Sequence, residues 1–384
     1  MILTERNNSM ANPRLSGWKD KILFTPGPLT TSKTVKMAML RDLGSRDFTF
    51  VEMIKEVRRK LVALGGVDTA EYDTVLMQGS GTFGVESVIT SAVPKDGKLL
   101  IIINGAYGER IRKMAQIHGI AFAELVYGED ALPVPADVEK VLAADTSITH
   151  VAVIHSETTS GLINPVTEIG AVVKKHNKVY IVDAMSSFGA VPVNLNQAGI
   201  DFIVSSSNKC IEGVPGFSFV IAKLDELKKI GPSTRSLSLD LYSQWKGLQE
   251  SGQFRFTPPT HAIMAFHQAL LELEEEGGIE ARAARYKHNY EVLKAGMAEL
   301  GFKEYVPREN QGYIITSFLY PEHKNFDFGE FYRRLNEKDQ VIYPGKLSKA
   351  DCFRIGNIGR LFEQDIYTLL AAIRSTLEEM KVTL

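Results

Sequence analysis

The sequence predicts an α/β protein: a large domain on a mostly parallel sheet, followed by a smaller α+β domain. Three observations carry this reading. Short apolar runs alternate with amphipathic stretches through the middle of the chain, the pattern of strand–helix–strand units. Several runs are β-branched and apolar on both faces, as strands covered by helices on both sides must be. The chain, at 384 residues, also exceeds what one compact core usually encloses.

Taken in order, the strands are expected at residues 74–78, 98–104, 150–155, 179–183, 202–205 and 217–222. Helical periodicity marks 108–118, 136–144 and 166–176 between them. From about residue 225 to 259 Gly, Pro, Ser and Tyr dominate, which predicts long connecting loops. Thr260 reads as the N-cap of a helix over 260–276, followed by a longer helix over 279–300. A strand at 313–319, a helix at 328–337, a strand at 352–355 and a helix at 364–379 complete the tail. The resulting division is a polar N-terminal tail over 1–20, a large domain over 21–277 and a small domain over 278–384, with Met10 an alternative start of translation.

The bulk numbers narrow the partners. A formal net charge of −2 gives no reason to expect nucleic acid or an anionic membrane. No apolar run approaches the roughly 18 residues of a membrane span. Cys210 and Cys352 stand far apart and outside any C-x-x-C pair, so neither a zinc site nor a disulfide framework is expected. No metal is expected. This cysteine usage fits a reducing cytoplasm.

The first chemical signal is Gly79-Ser80-Gly81-Thr82-Phe83-Gly84, a G-x-G-x-x-G between an apolar run and a helix-like run. A dinucleotide site also needs a carboxylate at the tip of the next strand. That strand ends in Asn104-Gly105. What survives is a loop entering a helix, with free backbone N–H groups, two hydroxyls and the positive end of a helix dipole. It suits a phosphate monoester, and a ligand-free tight turn would look the same. Further on, Asp183 ends the 179–183 run, at the strand tip where α/β sheets bind ligands; an aspartate capping the next turn is the alternative. Then Ser205-Ser206-Ser207-Asn208-Lys209 leaves the following strand among small residues. A phosphate cradle, an acidic strand tip and a lysine after the next strand are what pyridoxal phosphate requires. The lysine forms a Schiff base, the carboxylate keeps the ring nitrogen protonated, and the loop holds the phosphate.

These residues carry a family resemblance. From about residue 21 to 380 the chain resembles the class V, fold-type I pyridoxal-phosphate aminotransferases, and more narrowly their 2-aminoethylphosphonate:pyruvate branch. The matching stretches begin with Phe24-Thr25-Pro26-Gly27-Pro28, the Gly79–Gly84 loop and Asn104-Gly105-Ala106-Tyr107-Gly108. They continue through Thr158-Thr159-Ser160-Gly161, Asp183-Ala184-Met185-Ser186-Ser187 and Asn208-Lys209-Cys210. Phe254-Arg255-Phe256-Thr257-Pro258 and Phe353-Arg354-Ile355-Gly356-Asn357 close the set. The resemblance implies a seven-stranded-type sheet and a role for each position. Lys209 binds the cofactor and carries the proton, and Asp183 pairs with the ring nitrogen. Tyr107 stacks on the ring, and Thr158 lies near the ring oxygen. Ser80, Gly81, Thr82 and Ser206 hold the phosphate. Thr257 reaches the phosphate of a neighbouring subunit, implying a homodimer with shared active sites. Arg354 binds the substrate anion, and Gly27 lies beside the substrate. Arg46 reads equally as a second phosphonate contact or a surface residue. Ser156, Ser207 and Pro259 depart from the family pattern and remove no catalytic group. The implied substrates are 2-aminoethylphosphonate and pyruvate. The rivals are an alanine/serine:glyoxylate-type aminotransferase, a cysteine desulfurase, a nucleotide-dependent oxidoreductase and a non-catalytic cofactor-binding regulator.

Overall fold

The computed structural model describes residues 19–231, 234–307, 309–345, 347 and 350–384. Met10, and all but the last two residues of the expected polar tail, lie outside the described residues.

The large sheet has seven strands in the order Tyr72–Gln78, Phe217–Lys223, Phe202–Ser206, Val179–Asp183, Ile148–Ile154, Lys98–Ile103, Ala121–Val126. Only Phe217–Lys223 runs antiparallel to its neighbours; the other pairs are parallel. The expected strands are all present, within two residues of their expected bounds. Their apolar side chains are buried on both faces, as continuous β-branched runs require. The edge strand Ala121–Val126 was not anticipated. It is short and half exposed and carries Glu124, so it has no two-sided apolar run to reveal it.

Because these strands are parallel, Gln78, Ile103, Ile154, Asp183 and Ser206 all end at one edge of the sheet. The antiparallel strand starts there, with Phe217 opposite Gln78. Every loop leaving this carboxyl edge therefore converges on one surface.

Two expectations need correction. The stretch 225–259 is not all loop: it holds the helices Leu224–Ile230 and Leu241–Ser251. In the second, Asp240 accepts the Ser243 N–H as N-cap, while Leu241, Gln244 and Leu248 face inward. One buried polar residue, Gln244, donates to the Leu76 carbonyl at 2.9 Å and hides the apolar period. Thr260 is not the cap either. Pro259 holds that position and Thr260 is the first helical residue of Thr260–Glu276, with no side-chain cap bond. The helix Phe48–Leu64 was also unforeseen; Asp47 caps it through the Thr49 N–H at 2.8 Å.

The tail folds as a three-stranded sheet, Ile315–Leu319, Cys352–Gly356 and Tyr343–Pro344, with Cys352–Gly356 in the middle. A separate apolar core forms here from Leu293, Phe318, Phe353, Leu369 and Ile373, joined by Phe24 from the N-terminal segment. Ile22–Leu23 pairs in parallel with Gln340–Val341. No described helix is long and apolar enough to cross a membrane.

Candidate active site

The turn after Phe202–Ser206 fixes the lysine. Ser207 Oγ donates to the Val214 carbonyl at 2.6 Å, and the Glu212 N–H donates to the Lys209 carbonyl at 2.7 Å. The Lys209 side chain runs back under the N-terminal segment, where Nζ donates to the Pro26 carbonyl. Gly27 lies directly on it. A Cβ there would come within 2.7 Å of Lys209 Cδ and Nζ, and the backbone holds φ +122°, so only glycine serves. Burial pushes the Lys209 ammonium down to about 8, with Arg354 and Arg110 pushing the same way and Asp183 resisting.

Asp183 ends the adjacent strand. Its Oδ1 accepts the Met185 N–H at 2.9 Å and the carboxyl is 7% exposed. Burial raises it to about 6; a nearby Glu157 adds to the rise, and Arg110 and Lys209 oppose it. Glu157 is fully buried and is itself raised by burial. It accepts from the Thr159 N–H at 3.1 Å and the Tyr107 N–H at 3.3 Å, joining two site loops. Gly105 permits this: a Cβ there would sit 2.4 Å from Glu157 Cδ.

The cradle follows from the start of the helix Gly81–Ala92. Ser80 holds the N-cap position and uses no side-chain cap bond, which leaves its hydroxyl available. The first amides of any helix lack intrahelical acceptors, so this end favours an anion. Two hydroxyls at the same edge, Thr158 Oγ1 and Ser206 Oγ, are buried and have no protein partner. A buried hydroxyl without a hydrogen bond costs about 1–3 kcal/mol, which makes such groups good markers for a missing ligand.

Arg354 arrives from the small sheet. A lone arginine in a short strand would by default be solvated at an edge, yet here it occupies the central strand and is 2% exposed. Its Nη1 donates to the Thr158 carbonyl at 2.6 Å and its Nε to the Pro344 carbonyl at 3.1 Å. It thus brings a fixed cation to the loop that carries Thr158.

The structure brings together Lys209, Asp183, Gly27, the Ser80–Thr82 turn, Tyr107, Thr158, Ser206 and Arg354. Arg46 and Thr257 are elsewhere in one chain. Both are exposed and line an outward groove with Ser45 and residues 253–258. That groove joins the cradle through Gln78, whose Nε2 donates to the Phe256 carbonyl at 3.0 Å. Sequence reasoning missed Glu157 and Arg110. Glu157 follows a strand tip, the same signal that selected Asp183. Arg110 lies one helical turn beyond Tyr107, on the same face. Asn104, where a dinucleotide site would want a carboxylate, is buried in reciprocal amide bonds with Asn164 at 2.8 and 3.1 Å. Among the described residues no His, Cys, Asp and Glu gather as a metal site would need.

The sequence model of the class-V aminotransferases matches residues 31–339. The chain belongs to the class-V aminotransferases. The chain is 51% identical over 353 residues to the 2-aminoethylphosphonate–pyruvate transaminase of Lysinibacillus sphaericus, covering 92% of this chain and 96% of that one. It is 52% identical over 358 residues to the Vibrio vulnificus protein of the same name, covering 93% and 97%. Among solved structures, the fold matches ureidoglycine–glyoxylate aminotransferase from Bacillus subtilis with a TM-score of 0.87 at 20% identity, covering 98% of this chain and 96% of that one. An alanine–glyoxylate aminotransferase from Nostoc matches with a TM-score of 0.87 at 23% identity, covering 98% and 100%. These two likenesses establish the fold of the aminotransferase, a fold-type I architecture, and nothing about its substrate.

Proposed function

We propose that this aminotransferase uses pyridoxal phosphate to move the amino group of 2-aminoethylphosphonate to pyruvate, giving phosphonoacetaldehyde and alanine. One observation carries the cofactor: a buried lysine amine and a buried carboxylate share one sheet edge with buried hydroxyls that have no protein partner. The residues fit the group. Ser80, Gly81, Thr82 and Ser206 would hold the phosphate and Thr158 the ring hydroxyl, while Tyr107 would cover the ring face. When bound, the cofactor supplies an electron-accepting ring that makes the substrate's amino-bearing carbon acidic.

The protein's own part is proton handling and anion binding. Asp183 as carboxylate holds the proton on the ring nitrogen. Lys209 Nζ, depressed towards neutrality by burial, takes a proton from the substrate carbon that bears the amino group and would return it to the carbon on the other side of that nitrogen. Arg354 binds the phosphonate in the first half-reaction and the pyruvate carboxylate in the second. A guanidinium fork donates to two oxygens of either group. Lost and regained amino groups in separate halves imply ping-pong kinetics.

The substrate assignment rests on the likeness to the phosphonate transaminases over nearly their whole length. We further infer a cytoplasmic homodimer in which Thr257 reaches the neighbour's phosphate and Arg46 lies near the shared site. Two free, buried cysteines support the compartment, and the exposed Met37, Leu40 and Phe48 support a covered face. The test is a donor screen on purified, cofactor-loaded protein with pyruvate, reading alanine. 2-Aminoethylphosphonate should exceed serine by orders of magnitude in kcat/KM. Serine or alanine working better with glyoxylate would overturn the phosphonate assignment.

A further inference from the structure

Of the charged side chains around Lys209, Arg110 is the one the proposed chemistry leaves without a task. It lies on the helix Ala106–Ile117, its guanidinium carbon 4.7 Å from the centroid of the Tyr107 ring. Its Nη1 donates to Thr82 Oγ1 at 3.3 Å. The neighbouring Arg112 pairs with Glu109 at 2.5 Å, whereas among the described residues no carboxylate forms an ion pair with Arg110. Arg110, Thr82 and Asp183 line one small cavity of about 40 Å³, together with Tyr107, Met185 and apolar side chains. That is room for water between the lining groups.

Around Asp183 the charged groups are Glu157, Lys209 and Arg110, with Arg354 beyond Lys209. Glu157 favours the neutral acid, and the cations oppose it. The lysine changes charge as it works. A guanidinium does not deprotonate inside a protein. Arg110 is therefore the cation beside Asp183 whose charge is constant.

We propose that Arg110 is a positioning residue of this aminotransferase: across that cavity it keeps the Asp183 carboxylate charged throughout the reaction. The proposal rests on the cofactor reading above. Arg110 acts through Asp183 and touches neither substrate nor ring.

The test is binding of two aldehydes, pyridoxal phosphate and unphosphorylated pyridoxal, to the apoprotein between pH 5 and 9, followed by absorbance. Arg110→Gln should weaken both by the same factor, about tenfold near neutral pH, and raise the pH below which binding is lost by about one unit. Arg110→Lys should recover most of the loss. In an Asp183→Asn background, Arg110→Gln should weaken pyridoxal no further. A loss confined to the phosphorylated aldehyde would assign Arg110 to the phosphate through Thr82 and overturn the proposal, as would an unchanged pH profile. If Arg110→Gln does not fold, Arg110→Met fills the same space against Tyr107 and serves in its place. Wild-type protein that binds neither aldehyde removes the cofactor reading, and this proposal with it; normal wild-type binding with an unaffected Arg110→Gln removes this proposal alone.

Discussion

Two buried polar clusters lie one turn apart along the chain, and they are built on opposite principles. Around Lys209 the polar groups are left wanting: Thr158 Oγ1 and Ser206 Oγ have no partner, and Asp183 is raised to about 6 by burial. Around Glu212 the charges answer one another. Glu212 accepts from Arg285 Nη2 and Tyr286 Oη, both at 2.7 Å. Glu276 accepts from Arg282 Nε at 2.7 Å and Arg285 Nε at 2.8 Å. Burial alone would raise Glu276, but the bonds and charges of the two arginines win and hold it below the usual range. One Glu212 oxygen and one Arg282 nitrogen stay unpaired, yet neither side chain lacks an opposite charge. Arg282 Nη1 also donates to the Cys210 carbonyl at 2.6 Å, and Arg285 Nη1 to the Gly359 carbonyl at 2.6 Å. The second cluster thus ties the lysine turn to the loop that follows the Arg354 strand. Unmet polarity marks where a ligand belongs; met polarity marks the frame that holds it.

The sharpest way to break this contrast is to remove one group from each side. Lys209→Ala should lower transamination by about 10⁴-fold or more, read as single-turnover alanine formation, because both the covalent attachment and the proton carrier vanish. Its urea midpoint should not fall, since the lost amine sat buried without a charge partner at hydrogen-bond distance. Glu212→Ala should do the reverse. It leaves Glu276 as the single carboxylate for the buried Arg282 and the half-buried Arg285, and should cost about 3 kcal/mol of unfolding free energy, seen as a lower midpoint, whereas Glu212→Gln should cost less. Glu212 also holds a left-handed backbone, φ 65°, an uncommon conformation for a side-chain-bearing residue. If Glu212→Ala unfolds no more easily than wild type, the cluster is not the frame.

The Ser80–Thr82 loop, Asp183, Ser206 and Lys209 were legible because they follow the ends of apolar strand runs, where α/β sheets bind ligands, whereas Gly27, Tyr107 and Thr158 needed the family resemblance. Asp183, Ser206 and Lys209 needed only that rule and the chemistry. Arg354 needed the family resemblance, since a five-residue strand does not say whether it is central or at an edge. Glu157 was hidden by the small polar residues around it, and Arg110 by lying on a helix with ordinary surface periodicity. The Glu212 cluster could not be read at all. Its members come from the lysine turn and from the two helices that meet at Gly277, and only the folded chain makes them neighbours. In the fold, the central strands announced themselves by two-sided apolarity. The edge strand Ala121–Val126 and the helix Leu241–Ser251, each with one wet or polar-lined face, did not.

Asp183 sharpens the contrast through pH. Its folded value, about 6, lies above the ordinary 3.8, so the fold disfavours the charged form. The resulting cost is fully present above pH 6, shrinks as pH falls towards 4 and is absent below. Asp183→Asn apoprotein should therefore be more stable than wild type by roughly 2–3 kcal/mol at pH 8 and equal to it near pH 3.5, by urea titration. Its turnover should fall about 10³-fold, because a neutral amide no longer stabilises the ring proton. Equal stability at pH 8 would mean that the carboxylate is solvated after all.

The smallest expected effects discriminate best. Ser206→Ala and Thr158→Val each delete a buried hydroxyl that no protein group satisfies. In the apoprotein either change should be neutral or stabilising, by up to about 1 kcal/mol, because a desolvated oxygen leaves. With pyridoxal phosphate bound the sign reverses: one hydrogen bond is lost, about 1 kcal/mol, or roughly fivefold in affinity by equilibrium dialysis. Thr376 supplies the control. It is also buried with an unpartnered hydroxyl, but it sits in the C-terminal helix Glu363–Glu379. Thr376→Val should stabilise the chain and leave cofactor affinity untouched. If all three variants behave alike towards the cofactor, an unpartnered hydroxyl here is only a packing fault, and the difference between the two clusters loses its meaning.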